Sequence, residues 1–253
     1  MPVESLLKFV RTRQARVHRV PEGVRAYAIG DVHGRLDLLD ALIGLIDEDD
    51  QGRDGAETLI IFLGDLIDRG PSSRGVVERA MALAAGPRNM RFLMGNHEEV
   101  FLRALQGDLR ALRMLLRIGG DQTVFSYGIH RDEYRSLDFE ALAATLKARV
   151  PQAHVDFLAG FEPSIELGDY LFVHAGIRPG VAIGEQSASD MRWIRDEFLR
   201  HRDDHGKVVV HGHSVSEDID VRPNRIGIDT GAFATGRLTA IGLQREERWF
   251  LST

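Results

Sequence analysis

The sequence predicts an α/β protein whose sheet is mostly parallel, with further β structure toward the C-terminus. Short apolar runs such as 58–63 alternate with amphipathic runs such as 35–47, and this β-loop-α repetition is typical of parallel sheets. Several apolar runs end in glycine followed by polar side chains, and ligands of open α/β sheets bind at the carboxyl ends of the strands. These loops are therefore predicted to form the functional site. The first candidate is residues 64–70, which carry two aspartates and an arginine.

The bulk composition excludes several classes of protein. At 253 residues the chain has room for one large α/β domain, and we expect a single domain over 1–253 with a basic N-terminal arm at 1–20. No apolar run approaches the roughly 18 residues that a membrane span needs, so we expect no membrane partner and a cytoplasmic location. A formal net charge of -6 argues against nucleic-acid binding. None of these features indicates an oligomeric state.

Cysteine is absent from the sequence. This excludes disulfides, zinc sites built from thiolates and catalysis by a cysteine nucleophile. Any bound metal ion must therefore be held by histidine, carboxylate or amide side chains.

Strands and helices alternate in the first part of the chain. Apolar residues at helical spacing define the helices, and β-branched or aromatic runs that stop at glycine define the strands. The predicted elements are, in chain order, strand 25–29, helix 35–47, strand 58–63, a helix capped by Ser72 or Ser73 and ending before Gly86, and strand 90–94.

Residues 99–160 contain no strand pattern and are predicted to form a helical insertion. Leucines at helical spacing indicate helices that are interrupted at Gly107, followed by two more helices around 139–146 and 155–158. Beyond the insertion we expect a hairpin at 165–173, a helix at 191–200, a strand at 207–210 and short strands at 225–229, 237–243 and 248–251. This C-terminal β content implies a second sheet.

Histidines concentrate at the predicted strand ends. Five of the ten follow an apolar run and adjoin a glycine: His33, His97, His174, His211 and His213. Three aspartates and an asparagine complete the set at the same ends: Asp31, Asp65, Asp68 and Asn96. Carboxylate, amide and imidazole ligands suit Mn²⁺, Fe or Zn²⁺ better than Ca²⁺. So many ligands indicate two ions about 3.5–4 Å apart that share one carboxylate and clamp a phosphoryl group.

Five sequence blocks at these strand ends resemble the signature blocks of the metallophosphoesterases. They are GDVHG at 30–34, GDLIDRG at 64–70, GNHE at 95–98, FVHAG at 172–176 and VHGHS at 210–214. More narrowly, the blocks resemble the phosphoprotein phosphatase branch, which includes serine/threonine protein phosphatases, the phage lambda phosphatase and the symmetrical diadenosine tetraphosphate hydrolases. The resemblance implies a calcineurin-like metallophosphoesterase fold: two stacked mixed β-sheets flanked by helices in four αββα layers, with a helical insertion.

The resemblance also implies a binuclear metal centre. Two divalent ions are the expected cofactors, with Mn²⁺ favoured and Fe or Zn²⁺ as alternatives. The six implied ligands divide between the ions and share one carboxylate: Asp31 and His33 for the first ion, Asp65 for both, and Asn96, His174 and His213 for the second. His211 is interpreted as a structural residue or as one that contacts the ligands without binding an ion itself. The alternative is that His211 and His213 exchange these roles.

For catalysis, the resemblance implies that His97 is the general acid and that Asp68 hydrogen-bonds to it and orients it. Arg69 and Arg195 are expected to bind the phosphoryl oxygens of the substrate, together with Asn96. Arg195 lies in a Trp-Ile-Arg-Asp segment that resembles the bacterial and phage members. A hydroxide bridging the two ions would attack phosphorus directly, which fits the absence of cysteine.

The expected function is that of a metal-dependent phosphatase, first of all a serine/threonine protein phosphatase acting on a phosphoprotein, a phosphopeptide or a small phosphoester. The alternative with the same metal site is a symmetrical diadenosine tetraphosphate hydrolase, because the signature blocks serve both activities. A non-catalytic protein-binding scaffold is the third hypothesis. It is disfavoured because every matched position is filled.

Two arginines beside the signature blocks and one later segment are further candidates. Arg35 and Arg178 could face the site, but we expect them to be surface or capping arginines. Residues 229–231 follow a predicted strand and could close the site, although a tight turn is the favoured interpretation.

Overall fold

Two five-stranded mixed sheets lie face to face in the computed structural model, which describes residues 17–53 and 55–253. Most of the predicted basic arm at 1–20 falls outside these ranges. Within them, Arg19 forms an ion pair with Glu246 at 2.8 Å. Among the described residues, no helix has the length and apolar character needed to cross a membrane.

The described residues form ten strands and eleven α-helices, plus a short 3₁₀ turn at Ile183–Glu185. The strands are β1 (Val24–Ile29), β2 (Glu57–Phe62), β3 (Asn89–Phe92), β4 (Ser164–Leu167), β5 (Tyr170–Val173), β6 (Val208–His211), β7 (Asp220–Val221), β8 (Arg225–Gly227), β9 (Thr239–Gln244) and β10 (Glu247–Ser252). The helices are α1 (Leu36–Gln51), α2 (Ser73–Ala84), α3 (Asn96–Leu105), α4 (Leu109–Arg117), α5 (Asp121–Ser126), α6 (Arg131–Ser136), α7 (Phe139–Arg149), α8 (Gln152–Ala159), α9 (Ala188–Trp193), α10 (Asp196–Leu199) and α11 (Ala232–Thr235).

The first sheet has the strand order β10-β9-β1-β2-β3, and the second has the order β4-β5-β6-β8-β7. Each contains three parallel strands: β1, β2 and β3 in the first sheet, and β5, β6 and β8 in the second. The predicted second sheet is therefore present. The last two strands nevertheless belong to the first sheet, because β9 pairs antiparallel with β1 and β10 pairs with β9.

Alternation along the strands produces four layers, which confirms the predicted αββα arrangement. In β1, Ala26 and Ala28 pack in the cluster between the sheets, whereas Tyr27 and Ile29 pack in the cluster on the helical side. In the second sheet, Phe172 of β5 faces the first sheet, and its neighbour Leu171 packs on the other side with residues of α9 and α10. Successive side chains of a strand point to opposite faces, so each sheet packs against the other sheet on one face and against helices on the other.

The insertion between β3 and β4 contains six helices, α3 to α8. The interruption at Gly107 is confirmed, but the short helices α5 and α6 were not predicted. The insertion packs into the same hydrophobic cluster as the first sheet, for example through Phe101 and Leu112. Helix α3 begins at Asn96, earlier than the predicted start at 99, so its first turn carries two of the candidate site residues.

The helix predicted at 191–200 was wrong, because the structure has two short helices there. Helix α9 ends at Trp193, and Ile194 and Arg195 have non-helical backbone angles before α10 begins. The apolar positions in this segment match helical spacing on both sides of the break, so the periodicity could not reveal it.

Candidate metal centre and active site

Loops at the carboxyl ends of the parallel strands of both sheets meet at one edge of the molecule and are held in unusual backbone conformations. Among the described residues, six non-glycine residues have positive φ, and five of them belong to this region: His33, Asp65, Asp68, Arg69 and His213, with φ between 45° and 72°. Left-handed backbone is costly for residues with a Cβ and persists only where the surroundings enforce it. The strain therefore coincides with the predicted functional loops.

Glu98 holds the Asp65 loop in this conformation. Its carboxylate is fully buried and accepts hydrogen bonds from the backbone amides of Asp65 and Leu66, each at 2.8 Å, and of Gly95 at 3.2 Å. Burial and the charge of Asp65 raise the pKa of Glu98 to about 7. No role was predicted for Glu98, although its place three residues after the N-cap glycine of α3 is the capping-box position.

One group of potential ligands consists of His33, Asp65 and His97, whose ligand atoms all lie within 4.8 Å of one another. Nδ1 of His33 donates to the carbonyl of Ile67 at 2.7 Å, which fixes the tautomer. Nε2 of His33 is then a buried atom without a hydrogen-bond partner, 3.7 Å from Oδ2 of Asp65. An imidazole lone pair in this setting suits a cation.

A second group consists of Asp65, His174 and His213, again within 4.8 Å. Oδ1 of Asn96 lies 2.8 Å from Nδ1 of His213 and 3.0 Å from Nε2 of His174. Nδ1 of His174 donates to the carbonyl of Leu63, so its Nε2 faces Asp65 at 3.4 Å. All four side chains converge as predicted, and Asp65 belongs to both groups.

Asp31 lies beside these groups. Its carboxylate accepts the backbone amide of His213 at 3.0 Å and 3.2 Å. Asp229 is also buried here: one carboxylate oxygen accepts the amide of Gly231 at 3.0 Å, and the other has no partner. Burial and the charges of Asp229 and Asp65 raise the pKa of Asp31 well above its usual value. The tight-turn interpretation of 229–231 is thus incomplete, and the position of Asp229 after an apolar run was the available signal.

The electrostatics of the centre fit divalent cations. Burial alone would raise the pKa of Asp65, but the imidazoles of His174 and His97 hold it well below its usual value. Burial, together with His174 and the charge of Arg195, lowers the pKa of His213 to about 2. A buried carboxylate surrounded by imidazoles, with an unpartnered nitrogen on His33 and an unpartnered oxygen on Asp229, is a donor set for metal ions such as Mn²⁺, Fe or Zn²⁺.

The nearest hydrogen-bond partner of His97 is Asp68. Its Nδ1 donates to Oδ2 of Asp68 at 2.6 Å, and its Nε2 accepts from Nη2 of Arg69 at 3.1 Å. Burial would lower the pKa of His97, but the carboxylates of Asp65 and Asp68 outweigh burial and raise it. The guanidinium of Arg69 also lies over the ring of Phe233, 4.7 Å from the ring centroid.

Arg35, Arg178 and His211 do not belong to the candidate metal centre. Arg35 is bound to Asp37 and the carbonyl of Ala232, and Arg178 is bound to Asp190 and Glu197, as expected for surface arginines. His211 is buried but belongs to neither ligand group; its Nε2 lies 3.4 Å from Nη1 of Arg225. The grouping therefore includes His213, not His211.

Three further residues support the site and were not recognised in the sequence. Ser73 was predicted as a helix cap, but its hydroxyl accepts the backbone amide of Asp68, and Ser72 occupies the cap position without a side-chain hydrogen bond. Thr123 of α5 contacts Asp68, and Phe233 of α11 places its ring 5.5 Å from that of His33. Both lie outside the signature blocks, so no local pattern pointed to them.

Two groups of potential metal ligands share a carboxylate at the edge where two mixed sheets meet, which is the arrangement expected of a metallophosphoesterase. The sequence profile described as calcineurin-like phosphoesterase matches residues 24–238, and the chain belongs to this family. It is accordingly a phosphoric ester hydrolase, and the family uses divalent metal ions.

The relatives found by sequence carry names of one substrate class, whereas the solved structures of similar fold do not. They include a cold-active protein-tyrosine phosphatase of a Shewanella species, with a TM-score of 0.54 at 18% identity, covering 92% of this chain and 83% of that one. The chain is 25% identical over 233 residues to an asymmetrical bis(5'-nucleosyl)-tetraphosphatase of Anoxybacillus flavithermus, covering 84% of this chain and 88% of the relative. It is 44% identical over 87 residues to a symmetrical bis(5'-nucleosyl)-tetraphosphatase of Delftia acidovorans, but this match covers only 34% of this chain and 28% of the relative. A crystal structure of a putative diadenosine tetraphosphatase aligns with a TM-score of 0.63 at 19% identity, covering 94% of this chain and 98% of that one. At this identity it supports the fold alone.

Proposed function

We propose that this protein hydrolyses phosphoric esters or anhydrides by direct attack of water, without a covalent enzyme intermediate. The observation that carries the proposal is the participation of Asp65 in both ligand groups. The proposed ligands are Asp31 and His33 for one ion, Asp65 for both, and Asn96, His174 and His213 for the other. When bound, two divalent ions, for which Mn²⁺ is our first choice, would activate water and neutralise phosphoryl charge.

The side chains around these ligands supply the remaining chemistry. His97 protonates the leaving oxygen, since its Nδ1 is held by Asp68 and its Nε2 faces the centre. Arg69 and Arg195 bind the phosphoryl oxygens because a guanidinium donates two parallel hydrogen bonds to such a group. Nε2 of His97 lies 3.1 Å from Nη2 of Arg69 in the structure. As the acid, His97 would carry a proton on Nε2, and the guanidinium of Arg69 would turn to the substrate.

Of the two substrate classes that the sequence left open, we place dinucleoside polyphosphates first. The relatives carry that name, and Phe233 adds a structural argument. Its ring is 37% exposed and lies against both His33 and Arg69, so an aromatic surface adjoins the proposed phosphate position. Such a surface can stack on a nucleobase. Phosphoproteins are the second class, supported by the Trp-Ile-Arg-Asp segment that places Arg195.

A side-by-side turnover assay with Mn²⁺ tests both parts of the proposal. A dinucleoside tetraphosphate, a phosphoserine peptide and an aryl phosphate are compared, and chromatography distinguishes two ADP from ATP plus AMP. We expect the dinucleotide to be cleaved fastest, and Phe233→Leu to raise KM for it more than for the peptide. Faster cleavage of the peptide would reverse the order of substrates. Normal turnover of every substrate by Asp65→Asn and His97→Ala would overturn the mechanism.

A further inference from the structure

Thr123, a residue of the helical insertion, contacts the carboxylate that binds His97. It lies on α5 and its side chain is fully buried. Its Oγ1 donates to Oδ1 of Asp68 at 2.5 Å, while the other oxygen of Asp68 accepts Nδ1 of His97 at 2.6 Å. Each oxygen of the carboxylate is therefore held by a different element.

Thr123 and Ser73 also form hydrogen bonds with the backbone of Asp68 and lie close to each other. Oγ1 of Thr123 and Oγ of Ser73 each accept the backbone amide of Asp68 at 3.0 Å, and the two hydroxyls are 2.9 Å apart. Asp68 itself is fully buried and has φ of 72°, a conformation that needs external support. A carboxylate with only one oxygen bound could still rotate about its last torsion, whereas one bound at both oxygens cannot.

We propose that Thr123 is a positioning residue that orients Asp68 and, through it, the proton-donating nitrogen of His97. This inference rests on the proposed role of His97 as the acid. The insertion thereby becomes part of the active site. The same segment also holds Arg69, whose backbone amide donates to the carbonyl of Gly119 at 2.9 Å.

If the Thr123 hydroxyl only satisfied a buried hydrogen bond, its removal would lower the turnover of all substrates alike. If it positions the acid, its removal would lower the turnover of some substrates more than that of others. The dependence on a proton donor grows with the basicity of the leaving oxygen. The test therefore uses substituted phenyl esters and alkyl esters, both of phosphate and of ADP, so that either substrate class provides a series. Thr123→Val removes the hydroxyl at nearly constant volume. Thr145→Val is the matched control, because the Thr145 hydroxyl donates within α7 to the carbonyl of Ala141.

We expect Thr123→Val to lower kcat roughly 10-fold for alkyl esters and little for nitrophenyl esters, in the direction of His97→Ala. Thr123→Ser should restore the wild-type pattern, and Thr145→Val should keep it. If Thr123→Val does not fold, Thr123→Ala compared with Thr123→Ser carries the same test. An equal loss for all leaving groups, or none, would overturn the inference while leaving His97 as the acid. If His97→Ala itself shows no dependence on the leaving group, the proposed role of His97 as the acid is wrong instead.

Discussion

Oδ2 of Asp65 lies 3.4 Å from Nε2 of His174, although the two residues follow strands of different sheets. Asp65 follows β2 of the first sheet and His174 follows β5 of the second. The same oxygen lies 3.7 Å from Nε2 of His33, which follows β1. The candidate metal centre therefore joins the two sheets, and it exists only after they have packed together.

The first prediction concerns the shared carboxylate. Asp65→Asn keeps the shape of the side chain but removes the one negative charge common to both ligand groups, so we expect it to weaken the binding of both ions. The metal content after dialysis against Mn²⁺-free buffer should fall well below that of the wild type. The kcat should fall more than about 100-fold, because even the partners behind metal ligands contribute about 10- to 100-fold. Asp218→Asn, at an exposed carboxylate, is the control. Retention of two ions by Asp65→Asn would contradict the shared-ligand arrangement.

The second prediction compares two glycines of the insertion that both have positive φ. A Cβ on Gly119 would lie 2.8 Å from Cγ of Arg69, whereas a Cβ on Gly107 would meet nothing within 4 Å. Both alanine variants should be destabilised by roughly 1–2 kcal/mol through left-handed strain. Gly119→Ala should also raise KM about 10-fold, because a hydrogen bond to a charged group is worth about 1.5–3 kcal/mol. Urea unfolding and steady-state kinetics measure the two effects. Equal KM values for both variants would show that Gly119 does not position Arg69.

The third prediction concerns Glu98, whose carboxylate accepts backbone amides of two signature loops. Glu98→Gln replaces an acceptor oxygen by an amide group that opposes these donors, so we expect a loss of about 1–3 kcal/mol of unfolding free energy. Urea unfolding of the metal-free protein gives this value. The control is Glu99→Gln, because Glu99 is less buried and pairs with Arg192 at 2.8 Å. A larger loss in Glu99→Gln than in Glu98→Gln would refute the assignment.

The sequence was sufficient to predict that the loops of the candidate site lie close together. Asp31, Asp65 and His174 each follow an apolar run, and the carboxyl ends of parallel strands share one edge of a sheet. The local sequence pattern was therefore enough to predict that these side chains lie at the same edge of a sheet. The family resemblance favoured His213 over His211 as a ligand, and the structure groups His213 with Asp65 and His174, whereas His211 is the last residue of β6.

What the sequence could not reveal depends on contacts between distant segments. Thr123 reaches Asp68 from 55 residues away, through a six-residue helix too short to show periodicity. Phe233 reaches Arg69 from α11, a single turn between two glycines with positive φ. The pairing of β9 with β1 likewise spans the whole chain. Such contacts are decided by packing, and hydrophobic periodicity carries no information about them.

The fourth prediction is a pH dependence of stability that arises in the insertion. His154 is 5% exposed, its Nδ1 lies 3.0 Å from the hydroxyl of Tyr127, and burial lowers its pKa. The unfolded chain should therefore take up a proton near the usual histidine pKa of about 6.5, while the folded chain excludes it, so stability is lost as the pH falls below that value. His154→Gln cannot titrate, and its urea midpoint should fall less between about pH 7.5 and 5.5 than that of the wild type. His130→Gln, at an exposed histidine of the insertion, is the control. Identical slopes for wild type and His154→Gln would exclude His154 as the source.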